Sequence, residues 1–472
     1  MFKSSIEDTI VAPATPPGEG GIGIVRISGS RALDIADKIF ISKDGKKPSS
    51  FKTYTVHYGY IVDLYSGDKK QDTSDKVVDE VILTVMRAPK SYTKEDIVEI
   101  NCHGGIQAVK KVFDLIIKCG SRIAQPGEFT KRAFLNGRID LAQAEAVLDI
   151  IRAKTEGSLK AAMGQLEGNL SQDIAGIVDK LVDAAANIEA SIDFPDEELD
   201  IIKESALKEK VDSTIKRMKK LIDSFSEGVV LREGILAVIC GKPNVGKSSL
   251  MNLLLKRDRV IVASIPGTTR DAVEEMININ GIPIRLVDTA GIGMVKDILY
   301  KKSSDKSKHY IEQADMAILM LDGSTEINEE DLSLAKLLKD KKKIIVINKI
   351  DLDNRINKSS VKKLIGDDVL VEISIEKKKN IEGLEKSIID AVWSGKFIQG
   401  EGSIVTNARH KELLDKAFDN MLSVSKLIEE GSHADLIAID LKEAIFNLGL
   451  IIGSSVSEGV LNRIFENFCI GK

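Results

Sequence analysis

The segment Gly241-Lys242-Pro243-Asn244-Val245-Gly246-Lys247-Ser248 is a full match to GxxxxGK[ST], between the apolar run Ile235–Cys240 and a helical stretch beginning Ser249-Leu250-Met251. Glycines let successive backbone N–H groups curl around phosphates, and the N-terminus of a following helix favours anions. In that setting Lys247 reaches the β- and γ-phosphates and Ser248 ligates Mg²⁺. Asp288-Thr289-Ala290-Gly291 follows the run Ile284–Val287, which places a carboxylate behind the metal's water and the Gly291 N–H near the γ-phosphate. Asn348-Lys349-Ile350-Asp351 follows the run Ile344–Ile347. The Asp351 carboxylate can accept both N–H groups on the guanine edge, a pair adenine does not offer. Three motifs in this order at strand ends imply a guanine-nucleotide site and GTP hydrolysis. At the place of a Ser-Ala-Lys motif stands the degenerate Ser374-Ile375-Glu376, whose backbone N–H can still meet guanine O6.

The hydrolytic apparatus is less explicit. Ile292 follows Gly291, so no glutamine stands there to orient water, and no lone arginine marks itself as a charge-neutralising finger. A monovalent cation would neutralise the developing charge instead, with the Asn244 amide oxygen as a candidate ligand. Equally, Asn244 reads as a residue that only stabilises its loop.

The elements that must position these groups follow from pattern. Apolar runs at Ile235–Cys240, Ile284–Val287, Met316–Leu321, Ile344–Ile347 and Val369–Ile373 alternate with helical stretches, predicting a mostly parallel sheet with covering helices. Asn280-Gly281 between two β-runs adds a hairpin. Before this, Leu159, Leu166, Leu170, Ile174, Ile177, Leu181, Ile188 and Ile192 form one stripe of a long helix, or of two in series, ending at Phe194-Pro195. The last 70 residues, from about Arg409, are again helical. The α/β segment thus reads as an insertion between helical parts that pack as one bundle. Short β-runs at Ile22–Ser28, Tyr54–Val62, Val77–Met86 and Ile97–Cys102, mixed with helices, predict an α+β domain at the N-terminus. The segments are 1–136, 137–231, 232–395 and 396–472.

Composition sets the outer limits. The formal net charge of −5 excludes nucleic-acid binding by bulk positive charge, so an RNA partner must be gripped by a local patch. At 43% hydrophobic residues the chain can bury full cores. Cys102, Cys119, Cys240 and Cys469 form neither a disulfide framework nor a CxxC pair, which fits a reducing cytosol. No apolar leader or run of ~20 residues for a membrane helix is seen, so a cytoplasmic protein is expected.

Several further stretches resemble the MnmE (TrmE) family of tRNA-modification GTPases. They include Gly20-Gly21-Ile22-Gly23-Ile24-Val25-Arg26, Ser91-Tyr92-Thr93, Cys102-His103-Gly104-Gly105, Pro126-Gly127-Glu128-Phe129-Thr130-Lys131-Arg132, Gly267-Thr268-Thr269-Arg270-Asp271 and the terminal Phe468-Cys469-Ile470-Gly471-Lys472. The resemblance implies an N-terminal α+β domain that binds folate and dimerises, and a helical domain interrupted by a Ras-like α/β P-loop G domain. It implies a homodimer that works with the flavoprotein MnmG, as a heterotetramer, on tRNA. The reaction adds a carboxymethylaminomethyl or aminomethyl group to C5 of the wobble uridine, with 5-formyl- or methylene-tetrahydrofolate as one-carbon source. Carried over by position, Arg26, Glu99, Arg138 and Lys472 contact folate; the family often has Lys at the position of Arg138. Cys469 is a candidate nucleophile, weighed against a small packed residue.

The resemblance also implies the GTP/GDP contacts. From the phosphate loop these are Asn244, Val245, Gly246, Lys247, Ser248 and Ser249. Ala263, Ser264, Ile265, Pro266, Gly267, Thr268 and Thr269 follow, then Asp288, Thr289, Ala290 and Gly291. The base is met by Asn348, Lys349, Ile350, Asp351, Ser374, Ile375 and Glu376. Mg²⁺ is implied on Ser248 and Thr269, and K⁺ on Asn244, Thr268 and the carbonyls of Ala263 and Ile265. Lys247 and Thr269 act in hydrolysis. One position departs from the family: its water-orienting glutamate, twelve residues past Asp288, is Tyr300 here. The carboxylates left nearby are Asp297 and Asp305, with Glu312 further on. A ribosome-assembly GTPase is the alternative reading, opposed by the lack of a basic GXXG domain after residue 396. A dimer scaffold with a silent G domain is the third.

Overall fold

A computed structural model describes residues 8–63, 76–193, 204–258, 274–288, 309–353, 355–357, 361, 368–392 and 403–472. The chain packs as two units, one from the first 148 residues together with 448–472, the other from 149–447.

The first unit is built on seven strands: β1 (Ile10–Pro13), β2 (Gly20–Ser28), β3 (Phe40–Ser42), β4 (Thr55–Val62), β5 (Val77–Met86), β6 (Ile97–Gly104) and β7 (Arg122–Ile123), in the order β3-β4-β5-β6-β2-β1-β7. Every pairing is antiparallel except β1 with β7. Helices α1 (Ala32–Ile39) and α2 (Ile106–Lys118) cover one face, burying Ile35, Ile39, Val112 and Ile116 against Val25, Ile27, Leu83 and Ile100. The four sequence-expected strands are present; β1, β3 and β7 are too short to show alternation and were not anticipated.

Helix α3 (Glu128–Leu135) and the C-terminal helix Glu458–Phe465 share a second core with Leu141, Ala144, Leu148 and Phe468. Beneath α3 lies an ion network that the sequence did not announce. Arg132 is fully buried, and its guanidinium donates to Asp8 Oδ1 at 2.6 Å, Glu128 Oε1 at 2.9 Å and Glu95 Oε1 at 3.1 Å. Arg122 adds bonds to Glu128 Oε1 and Asp8 Oδ2, each at 2.7 Å.

In the second unit the long apolar stripe becomes two helices, α5 (Glu156–Leu166) and α6 (Asn169–Asp193), after α4 (Leu141–Arg152). Gly168, at φ +93°, ends α5 and resets the helical phase. Leu170, Ile174, Ile177, Leu181 and Ile188 are therefore buried together, while Leu159 and Ile192 lie exposed. The expected stop at Phe194-Pro195 lies outside the described residues. Helices α7 (Glu204–Asp223) and α8 (Phe225–Glu233) follow. Then come β8 (Ile235–Cys240), α9 (Lys247–Asp258), β9 (Glu274–Ile279), β10 (Ile282–Asp288), β11 (Met316–Asp322), α10 (Glu329–Leu337), β12 (Lys343–Asn348), β13 (Val369–Glu372) and α11 (Ile381–Val392). The sheet order is β13-β12-β11-β8-β10-β9, parallel except for β9, which pairs antiparallel with β10 through the Asn280-Gly281 turn. The chain then returns to the helices: Val405 N–H donates to Ser224 Oγ at 3.1 Å, and α12 (Ala408–Glu429) runs against α7, with Lys208 paired to Glu429. The α/β segment is thus an insertion into a helical bundle, as its sequence position implied. No helix among the described residues is long and apolar enough to cross a membrane.

Burial raises the Glu128 and Asp8 carboxyls, but the arginine bonds outweigh it and hold both below the ordinary carboxylate range. Their stabilisation is therefore complete above the unfolded carboxylate pKa and lost as pH falls through the lower folded value. Removing Arg132 takes the buried cation from three carboxylates, of which Asp8 and Glu128 keep Arg122, so Arg132→Met should cost about 3 kcal/mol. Hydrogen–deuterium exchange of the β1 and β2 amides at pH 7 should then accelerate strongly. Unchanged protection would show that the network contributes nothing.

Candidate functional site

The phosphate loop spans the gap between β8 and α9. All six β8 residues are buried, which fixes the loop's entry at the carboxyl edge of the sheet. Gly246 has φ +104°, and a Cβ there would come within 2.6 Å of Asn348 Nδ2, so only glycine permits the close approach. Lys247 folds over the loop, its ammonium donating to the carbonyls of Gly241 at 2.8 Å and Lys242 at 2.7 Å. Burial holds its pKa below the ordinary lysine value, with Asp288 opposing. Lys242 is itself anchored: its ammonium meets the buried Asp331 carboxylate of α10 at 2.7 Å. That tie was not foreseen; Asp331 is the third residue of an Asn328 capping box, a signal that marks the helix start but not its partner.

Ser248 Oγ donates to Asp288 Oδ2 at 2.6 Å. The hydroxyl and the carboxylate expected to serve one metal are therefore adjacent, one from α9 and one from the end of β10. Asn244 is exposed at φ +65°, and its amide makes no hydrogen bond among the described residues. Asparagine suits the left-handed backbone at this position.

The base-reading end is built around Asn348, 3% exposed at the end of β12. Its Nδ2 donates to Val245 O at 2.9 Å, and its Oδ1 accepts the Ile375 N–H at 3.2 Å. One side chain therefore ties the phosphate loop to the degenerate third loop. Lys349, at φ +66°, pairs with Asp322 at 2.6 Å. Ser374 Oγ donates to Asp351 Oδ1 at 2.5 Å and accepts the Lys377 N–H at 3.0 Å. The Ser374 hydroxyl is the main cause holding Asp351 below the usual carboxylate pKa. Serine is thus the member of Ser374-Ile375-Glu376 that orients the Asp351 carboxylate. Residues 263–269, Thr289, Ala290, Gly291 and Tyr300 lie outside the described residues, as do Ile292, Asp297 and Asp305. Glu312 lies within them.

A second cluster forms in the first unit. Arg26 and Glu99 face each other across β2 and β6, with Nε to Oε1 at 2.6 Å. Arg26 Nη1 also donates to Gly471 O at 3.2 Å, bringing the C-terminal tail to the sheet. Gly471 lies at φ +95°, where a Cβ would come within 2.2 Å of Pro13 O. Arg138 lies 4.7 Å from the centre of the Tyr92 ring and Arg26 5.9 Å, so one ring joins both. Tyr92 was matched by motif but given no role; its phenol bonds Thr130 at 2.9 Å. The Lys472 N–H donates to Cys469 O at 3.3 Å, and the Cys469 side chain is exposed.

A phosphate loop, the adjacent Ser248 and Asp288, and the Asn348–Asp351 and Ser374 loops at the carboxyl edge of one mostly parallel sheet define a P-loop GTPase. The family model described as the MnmE helical domain matches residues 141–469, and the GTP-binding protein TrmE N-terminus matches residues 9–138. Similar proteins named tRNA modification GTPase MnmE occur in Carboxydothermus hydrogenoformans, 48% identical over 469 residues, and in Alkaliphilus oremlandii, 46% over 467 residues. Another, from Clostridioides difficile, is 46% identical over 467 residues. Each alignment covers 99% of this chain and 100% of the relative. The chain belongs to the MnmE family.

Asp351→Asn should shift preference from guanine toward xanthine, whose edge offers an acceptor to the new amide. Competition between GDP and XDP for the full chain measures this. Undiminished GDP preference would remove Asp351 from base reading.

Proposed function

We propose that this chain hydrolyses GTP in the course of tRNA wobble-uridine modification. Its full-length likeness to tRNA modification GTPases, joined to a phosphate loop and the Asn348–Asp351 loop at one sheet edge, carries the reading. In this proposal the chain acts as a homodimer with the flavoprotein MnmG in the cytoplasm, and tetrahydrofolate supplies the one-carbon unit. Segment 1–136 holds folate, 137–231 and 396–472 form the helical domain, and 232–395 is the G domain.

The proposed roles follow the geometry. Lys247 leaves the Gly241 and Lys242 carbonyls to meet the β- and γ-phosphates. Ser248, with Thr269, holds Mg²⁺, and Asp288 stands behind the metal's water. Magnesium bound there neutralises charge on the phosphate oxygens. Asn244, Thr268 and the carbonyls of Ala263 and Ile265 are the proposed K⁺ ligands. Glu99 keeps its Oε2 without a partner among the described residues, so it can accept the amino and ring N–H edge of a pterin while Arg26 holds Oε1. Arg138 and Lys472 supply positive charge for the glutamate tail. Cys469 is the proposed nucleophile beside this site.

Mass spectrometry of wobble nucleosides from cells lacking the chain tests the function. Loss of the carboxymethylaminomethyl and aminomethyl uridines is expected; an unchanged profile would contradict it. The departure at Tyr300 predicts slow turnover, because positioning water is commonly worth ~10²–10³-fold. Tyr300→Glu should raise the single-turnover rate with little change in GTP affinity. Brisk hydrolysis by the parent, not accelerated by this change, would show that another group orients the water.

A further inference from the structure

The degenerate motif Ser374-Ile375-Glu376 runs directly into Lys377, Lys378 and Lys379. These lysines stand on a tightly pinned turn. Ser374 N–H donates to Lys379 O at 3.2 Å, and Lys379 N–H returns a bond to Ser374 O at 2.9 Å. Inside the turn, Lys378 N–H donates to Ile375 O at 3.2 Å and Lys377 N–H to Ser374 Oγ at 3.0 Å. Asn380 closes the far end, its Nδ2 donating to Glu372 O at 2.8 Å. The backbone is fixed, while all three lysine side chains are exposed.

The turn faces the last two turns of α9 across a cavity of about 700 Å³, with Asn252, Lys256 and Arg257 on one wall and Ile375 and Lys378 on the other. Arg257 is partly neutralised by Glu382 and Glu385, each 3.5 Å away. Glu376 lies exposed in the turn itself. Lys256, Lys378 and Lys379 have no carboxylate partner among the described residues, and Lys377 meets one only through its charge on Asp351. Lys256 and Lys378 thus line one groove, with Lys377 and Lys379 flanking Lys378 on the exposed turn, in a chain whose overall charge is −5. Such an arrangement is self-repelling until a polyanion enters it.

We propose that this groove holds the phosphate backbone of the tRNA, an inference that rests on the tRNA-modification reading above. Lysines are point charges suited to phosphates, and no aromatic ring lines the cavity on which a base would stack. The contact therefore positions the RNA without reading its sequence. Ser374 joins the two functions: its hydroxyl orients Asp351 and its backbone closes the lysine turn. RNA is gripped beside the guanine base by a turn that shares a residue with base recognition.

The test is a full-length chain carrying Lys377→Ser, Lys378→Ser and Lys379→Ser together, with tRNA binding measured over a KCl series in GDP. Affinity should fall on the order of tenfold near 0.1 M salt, and the slope of log K against log salt should become shallower by about 2. The triple Lys→Arg variant should retain parental affinity and slope. GDP affinity, read with a fluorescent analogue, should stay within about twofold of the parent. Unchanged tRNA affinity and slope would overturn the groove, as would joint loss of tRNA and GDP binding, or no tRNA binding by the parent. Wobble nucleosides measured in cells carrying the parent chain test the underlying reading separately. Intact modification with a failed binding test removes the groove alone.

Discussion

Asn348 is the constraint on which the nucleotide site depends. Its amide is buried, and both of its ends are used: the nitrogen holds the Val245 carbonyl and the oxygen holds the Ile375 N–H. Phosphate loop and base loop come from segments more than a hundred residues apart, and neither has a regular element spanning the gap. A buried amide bonded on both sides is costly to break, because each orphaned backbone group loses about 1–3 kcal/mol. The absence of a side chain at Gly246 is what lets Asn348 approach. Strand β12, fully buried over its last five residues, places the amide at the sheet edge where the loops meet.

Much of this was legible because it obeys local rules. The apolar runs became β8, β10, β11 and β12, since a strand buried on both faces must be continuously apolar, while the edge strand β13 keeps Val369 and Leu370 exposed. Asn280-Gly281 formed its hairpin because both residues accept positive φ. Where the pattern misled, backbone geometry intervened: Gly168 broke the stripe, so Leu159 fell on a solvent-facing side. Folate residues were named from resemblance, and the packing that collects Arg26, Glu99 and Gly471 rests on register and a glycine fit that spacing does not encode.

What sequence could not reveal is long-range pairing of charge. Arg132, Asp8, Glu95 and Glu128 each read as ordinary polar residues, yet they converge around one buried guanidinium. The same holds for Lys242 and Asp331, 89 positions apart in the chain. The degenerate Ser374-Ile375-Glu376 looked like a weakened motif; in the fold, its serine organises both Asp351 and the turn beyond it. Composition alone, with a net charge of −5, required that any RNA contact be local.

The cross-brace is tested most directly by Asn348→Ala in the full chain, with GDP affinity measured by fluorescence titration and the fold checked by far-UV circular dichroism. Losing both bonds should weaken GDP binding about 100-fold while secondary structure is kept. A folded variant that binds GDP within about twofold of the parent would contradict the claim that Asn348 holds the two loops as one site.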